Sequence, residues 1–328
     1  MHLYKLEFSL NEQQNIVSNK IVGYYMKNKD IILEAVCGAG KTEMLLAVIS
    51  LGLKEGKNIG FACPRRQLTI ELYERVDEYF YNHQNIGLVV GGQRINELSN
   101  LIFLTTHQLI NYKNYFDLLI IDEVDAFPYF NNIKLEQAAQ ESSKQFIYLS
   151  ATMPQKYLVN ANLVKVTNYK RHHLKIMPIP KIVLVRYGLM MIKLLIIIIR
   201  LKNDPLIVFV PNKRDGNKLN KLFKLLGFKS KFVYSKTLNT KVINDFRSQT
   251  IKILISTTVL ERGITLKGLN VIVFRADCSI FNSDVLIQIC GRVGRSTEQP
   301  NGKLYFLAYK ESDAMKKCTI KLENYNEM

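Results

Sequence analysis

Cysteine is sparse in this 328-residue chain and shows no metal-binding or disulfide spacing: Cys37, Cys63, Cys278, Cys290 and Cys318 include no CxxC pair. Neither a zinc module nor a disulfide framework is signalled, no zinc is expected, and a reducing cytoplasm is the natural compartment. The first twenty residues lack a basic segment leading into an unbroken apolar stretch with a small-residue cleavage site, which argues against a secretory leader. Long hydrophobic runs are missing too. The longest, LMMIKLLIIII at Leu189–Ile199, has Lys193 at its centre and Arg186 and Arg200 beside it, far short of the roughly 20 apolar residues of a membrane span. A buried helix is expected there, with interfacial membrane contact as the lesser reading. Internal repeats and low-complexity tracts are absent.

Acidic residues are scarce in one half only. The formal charge is +17, yet residues 1–180 hold 19 Lys+Arg against 17 Asp+Glu, whereas residues 181–328 hold 26 against 11. The second half therefore projects a field that attracts polyanions, of which phosphate backbones are the commonest in a cell. A lysine-rich surface that merely keeps the protein soluble is the alternative.

What is present is enough apolar content for two packed cores, 48% of the chain, at a length that suits two domains. Short runs of Ile, Val, Leu and Phe alternate with segments of helical spacing, a rhythm that implies parallel sheets with crossover helices. Strands are expected at Ile31–Val36, Asn58–Cys63, Leu101–Thr105, Leu118–Asp122 and Phe146–Ser150. In the second half they are expected at Leu206–Val210, Ile251–Ser256, Val271–Phe274 and Leu304–Leu307. The two prolines of MPIPK, Met177–Lys181, break both patterns, so the domains are expected to be 1–180 and 181–328.

Three segments carry chemistry. AVCGAGKTE, Ala35–Glu43, follows an apolar strand and opens a helical run. A turn containing Gly38, Ala39 and Gly40 leaves backbone N–H groups free to surround phosphates, Lys41 would meet the β and γ phosphates, and the Thr42 hydroxyl would hold Mg²⁺. Next, FDLLIIDEVDAFP ends a strand in three carboxylates, at the edge where open α/β sheets bind ligands. Asp122 suits the Mg²⁺ of MgATP, and Glu123 suits orienting and deprotonating the attacking water. Finally, QICGRVGR places Arg292 and Arg295 three residues apart on a helical stretch, where forked guanidinium groups can stabilise charge on the γ-phosphate.

These motifs resemble those of the superfamily 2 helicases, in order along almost the whole chain. LNEQQ (Leu10–Gln14) looks like the glutamine motif, and CPRRQL (Cys63–Leu68), VVGG (Val89–Gly92), TTHQL (Thr105–Leu109), DEVD (Asp122–Asp125) and SAT (Ser150–Thr152) follow the phosphate loop. VFVPNKRDG (Val208–Gly216), TTVLERGIT (Thr257–Thr265) and QICGRVGR (Gln288–Arg295) complete the set. Within that superfamily AVCGAGKTEM, DEVDAFPY and VLERGIT are most similar to the late-competence DNA-uptake ATPases of the ComFA family, with the primosomal helicase PriA more distant. DEAD-box RNA helicases fit less well, since they carry His where Gln288 stands and Asp where Thr265 stands. The competence family usually has a four-cysteine zinc segment ahead of its first lobe, whereas this sequence opens almost at the glutamine motif.

The resemblance implies two tandem RecA-like domains with ATP in the interdomain cleft. It adds Gln14, Glu43 and Gly263 to the ATP-binding set and Gln288 to the catalytic one. Nucleic acid would be tracked by Pro64, Arg65, Gly91, Gly92, Thr105 and Thr106 in the first domain and by Lys213, Arg214, Thr257 and Arg262 in the second. Such contacts to phosphate are sequence-independent; each of these residues also reads as a turn or cap. Ser150 and Thr152 would pass the nucleotide state to the strand-binding loops. The implied activity is an ATP-dependent single-stranded DNA translocase that draws in transforming DNA, cytoplasmic or peripheral at the inner face of the membrane. A membrane DNA channel and other competence proteins are the implied partners. A replication-restart or repair helicase and a nucleotide-gated nucleic-acid scaffold are the alternatives.

Overall fold

The structure is a computed structural model that describes residues 3–36, 38–80, 85–160, 162–169, 177–201, 204–234, 237, 240–257, 266–294 and 302–327. The chain divides into two compact units, Met1–His172 and His173–Met328.

In chain order the first unit holds α1 (Glu12–Tyr25), β1 (Asp30–Ala35), α2 (Lys41–Lys54), β2 (Ile59–Cys63), α3 (Arg66–Tyr79), β3 (Ile86–Val90) and β4 (Gln93–Ile95). There follow β5 (Leu101–Thr105), a 3-10 helix (Thr106–Asn111), β6 (Phe116–Ile121), α4 (Ile133–Ser142), β7 (Ser143–Ser150), α5 (Gln155–Leu158) and β8 (Leu163–Asn168). The strands form one sheet in the order β4-β3-β5-β2-β6-β7-β1-β8, parallel except for the β3–β4 hairpin. Residues of β2, β3 and β5 are buried at every position, as parallel strands covered on both faces must be. Helix α2, KTEMLLAVISLGLK, is apolar nearly all round and buried along most of its length, the pattern of a core helix. Because all strands but β4 run the same way, the loops after β1, β2, β5, β6 and β7 gather on one edge.

The second unit holds β9 (Lys181–Leu184), α6 (Met190–Arg200), β10 (Leu206–Phe209), α7 (Lys213–Leu225), β11 (Ser230–Val233) and α8 (Thr240–Arg247). It continues with β12 (Ile253–Ser256), β13 (Asn270–Phe274), α9 (Ser283–Cys290), β14 (Leu304–Ala308) and α10 (Asp313–Glu327). Its sheet, β11-β12-β10-β13-β14-β9, is parallel throughout. The backbone of Met177 exchanges two hydrogen bonds with the Asn326 side chain, so the start of the MPIPK segment is tied to α10. Gly216 in α7 lies against the Phe232 ring, which a Cβ would meet at 2.2 Å.

The apolar run forms α6, but it is not a buried helix. Met190, Leu194, Ile197 and Ile198 enter the core, whereas Leu189, Ile192, Ile196 and Ile199 are exposed. Only one face of an isoleucine-rich helix can meet the sheet it packs on, and here the opposite face carries isoleucine as well. Among the described residues no helix is long and apolar enough to cross a membrane.

Candidate ATP and nucleic-acid site

The loop from β1 to α2 is shaped by glycine. Gly38 (φ 84°) and Gly40 (φ 78°) both take left-handed backbone, which L side chains resist, and a Cβ on Gly40 would lie 2.5 Å from Gln14 Nε2. Gln14 explains that closeness. It forms a capping box with Asn11 at the start of α1, and its side-chain amide donates to the Ala39 carbonyl at 2.9 Å. The glutamine motif therefore clamps the phosphate loop through its own backbone. Lys41 turns back across the loop, its Nζ donating to the Ala35 carbonyl at 3.0 Å. Thr42 and Glu43 occupy the first turn of α2, both mostly buried.

A triphosphate with a divalent cation needs amides without an obstructing Cβ, one ammonium, one hydroxyl and nearby carboxylates. The glycine backbone of this loop, Lys41, Thr42 and the carboxylates after β6 fit that requirement. Glu123 stands in left-handed backbone (φ 53°), a strained conformation for a residue with a Cβ and one that gathers at functional sites. Its N–H donates to Asp122 Oδ1 at 2.9 Å. Burial, followed by the charges of Asp122 and Glu123, pushes the Cys63 thiol well up, so the end of β2 lies within reach of both carboxylates.

Asp125 is the hub of the next layer. Its two oxygens accept separately from Ser150 Oγ (2.8 Å) and Thr152 Oγ1 (2.7 Å), and Ser150 Oγ also accepts from the Thr152 N–H at 2.9 Å. Ser150 and Thr152 were expected as coupling residues; their shared acceptor, Asp125, was not singled out from sequence. Two arginines were given no role from sequence. Arg66 Nε donates to the Gly91 carbonyl at 3.0 Å, binding the start of α3 to the β3–β4 turn. Arg75 in α3 reaches Thr42 and Glu43. Arg66 lies within CPRRQL, but its partner is a turn distant in sequence, and Arg75 lies in none of the motifs, so only the fold shows what each holds.

The expected strand-tracking residues fall into different settings. Pro64 and Arg65 follow β2, and Gly91 and Gly92 form the exposed β3–β4 turn, where Gly92 (φ 80°) is left-handed. Thr105 and Thr106 are buried instead, and the Thr106 hydroxyl has no hydrogen-bond partner among the described residues. In the second unit Lys213 and Arg214 are exposed at the start of α7, which Asn212 caps, and Lys213 Nζ lies 4.3 Å from the Tyr234 ring centroid. Thr257 follows β12, its carbonyl accepting from Ser256 Oγ. Gln288 is buried in α9. The helix expected through Arg295 stops at Cys290, because Gly291 and left-handed Gly294 (φ 70°) turn the chain. Arg292 lies in that turn and is 1% exposed. Arg262, Gly263 and Arg295 lie outside the described residues.

Residues 11–159 match the DEAD/DEAH box helicase family and residues 190–297 the helicase conserved C-terminal domain. The chain is 32% identical to the competence protein ComFA of Bacillus subtilis over 97% of its own length and 72% of that protein's. It is 33% identical to ComFA of Streptococcus pneumoniae over 96% and 76%. Its fold is similar to that of Saccharomyces cerevisiae Dbp5 bound to RNA and ADP BeF3, with a TM-score of 0.68 at 18% identity, covering 97% of this chain and 92% of that one. A phosphate loop clamped by a glutamine motif and a strand-end carboxylate pair, in a chain a third identical to these competence proteins along nearly its whole length, place it in the ComFA family of superfamily 2 helicases, as an ATP-hydrolysing helicase or translocase.

Proposed function

We propose that this ATPase is a motor on single-stranded DNA that helps draw transforming DNA into the cytoplasm, working beside a membrane DNA channel and other competence proteins at the inner face of the membrane. The observation that carries the reading is Asp125, which sits two residues past Glu123 and holds both hydroxyls of the SAT segment. A change at the carboxylates that face the nucleotide is thereby felt at the end of β7. Similarity to two competence proteins supports DNA as the track.

In this reading Lys41 and the loop amides bind the phosphates, and Thr42 and Asp122 hold Mg²⁺. Bound Mg²⁺ supplies charge neutralisation on the β and γ phosphates. Glu123 orients the water and accepts its proton. The exposed Lys213 and Arg214 grip the strand through its phosphates, without reading bases.

The test is ATP turnover with single-stranded DNA, duplex DNA and RNA, in the wild type, Lys41→Ala and Glu123→Gln. Strong stimulation by single-stranded DNA is expected in the wild type, with turnover lost in both variants. Turnover indifferent to DNA, or surviving Lys41→Ala, rejects the motor.

A further inference from the structure

Arg75 has no place in any sequence motif, yet its side chain ends on the residue expected to hold the cation. Its Nη2 donates to Thr42 Oγ1 at 2.9 Å, and its Nη1 lies 3.8 Å from Glu43 Oε1. The guanidinium is half-exposed while the Glu43 carboxylate is 11% exposed, so the arginine reaches in from solvent to a fixed partner. Tyr79, one turn further along α3, faces the same carboxylate: burial first, then the Glu43 charge, raise its hydroxyl to about 12. Helix α3 therefore presents a basic and a phenolic donor to the first turn of α2.

A threonine hydroxyl has two lone pairs, and here a full positive charge occupies one of them. A divalent cation taking the other would sit beside that charge, and two like charges on one small oxygen repel. Glu43 offers the arginine a retreat, because a guanidinium carries five donors in a rigid fork and can pivot from one acceptor to the next without leaving the site. Resting on the reading of Thr42 as a cation ligand, we propose that Arg75 is a positioning residue that holds the Thr42 hydroxyl in the cation's place and withdraws to Glu43 when the cation binds. Arg75 thereby sets the magnesium concentration at which nucleotide is taken up.

The experiment is binding of a fluorescent ADP analogue to the full chain, titrated with Mg²⁺ and repeated in EDTA, for the wild type, Arg75→Gln, Arg75→Lys and Glu43→Gln. Arg75→Gln should lower the half-saturating Mg²⁺ concentration about threefold to fivefold, the size of an exposed charge interaction, and leave affinity in EDTA within about twofold. Glu43→Gln removes the retreat and should raise the Mg²⁺ requirement. Arg75→Lys keeps the charge and should stay nearer the wild type than Arg75→Gln does, so the comparison stands even if the glutamine variant folds poorly. An unchanged or raised Mg²⁺ requirement in Arg75→Gln overturns the proposal. A loss of about tenfold in EDTA does so too, by making Arg75 a phosphate ligand. Failure of the wild type to bind the analogue at all would remove the nucleotide site itself, and the proposal with it.

Discussion

The two units share one scaffold, a parallel sheet with its functional loops after the carboxyl ends of strands, but they use that edge differently. In the first unit polar side chains interlock: Gln14 on Ala39, Arg66 on Gly91, Asp125 on Ser150 and Thr152. In the second, Lys213 and Arg214 stand exposed at the head of α7, and residues 181–328 carry nearly all the chain's excess positive charge. The difference matches what each is proposed to hold. A triphosphate is a localised ligand whose chemistry depends on groups fixed in place, whereas a nucleic-acid backbone is a repeating polyanion that a field and a few mobile cations can track.

If interlocking is the first unit's device, its hub should be its most sensitive point. Asp125→Ala deprives two buried hydroxyls of their acceptor, which costs about 1–3 kcal/mol for a buried unmet donor. It should also abolish most of the DNA stimulation of ATP turnover, by about tenfold or more, the scale of an ordinary coupling energy. Nucleotide affinity should change far less. The check is kcat with and without single-stranded DNA, beside equilibrium nucleotide binding. Stimulation that persists in Asp125→Ala would mean that the nucleotide state reaches DNA by another route.

The second unit should behave as a field. Replacing Lys213 and Arg214 together by alanine should weaken single-stranded DNA binding severalfold and reduce the slope of log affinity against log salt by about 1.4, since each lost phosphate contact removes about 0.7. Nucleotide binding without DNA should be unchanged. Fluorescence anisotropy over a salt series measures both quantities. A weakened affinity with an unchanged slope would show that these side chains act through packing, for example through the Lys213 contact with Tyr234, and not as phosphate cations.

The same contrast explains what was legible in the sequence. Strands β1, β2, β5, β6 and β7, and in the second unit β10, β12, β13 and β14, are runs of Ile, Val, Leu and Phe. A parallel strand buried on both faces has no other composition available, so these runs announce themselves. Edge strands do not: KIVL of β9 and LVKVTN of β8 are only partly buried, and SKFV of β11 is half polar. Strand β7 begins at Ser143, three residues before its apolar run, because Ser143 pairs with Phe116 through the backbone and owes nothing to side-chain burial. β3, IGLVV, was not among the strands expected, although it is buried at every position like its neighbours. Within the site, Lys41, Thr42, Asp122 and Glu123 were legible because phosphate chemistry fixes residue type at short spacing. The contacts of Arg66 and Arg75 were not, since each acts on a segment distant in sequence, and Arg75, alone on an amphipathic helix, looks like solvated surface.

A residue at the other end of the first sheet sharpens the comparison by having a small effect of a different kind. Asp117, at the amino end of β6, accepts from the Asn58 N–H and from Lys144 Nζ, each at 3.1 Å. Partial burial opposes its ionisation, but the Asn58 hydrogen bond and the Lys144 charge outweigh it and hold the carboxyl below its ordinary value of 3.8. A carboxyl depressed in the folded state adds stability that is fully present above its unfolded pKa and is lost as pH falls through the lower folded value. Lys144 is largely exposed, so the gain is small. Asp117→Asn should lower the melting temperature by about 1–2 °C at neutral pH, and the gap should close as pH falls below about 4. ATP turnover and its stimulation by DNA should be untouched, because nothing at that end of β6 belongs to the interlocked edge. A turnover defect in Asp117→Asn as large as that of Asp125→Ala would mean that stability of the whole unit, and not the network at its carboxyl edge, limits catalysis.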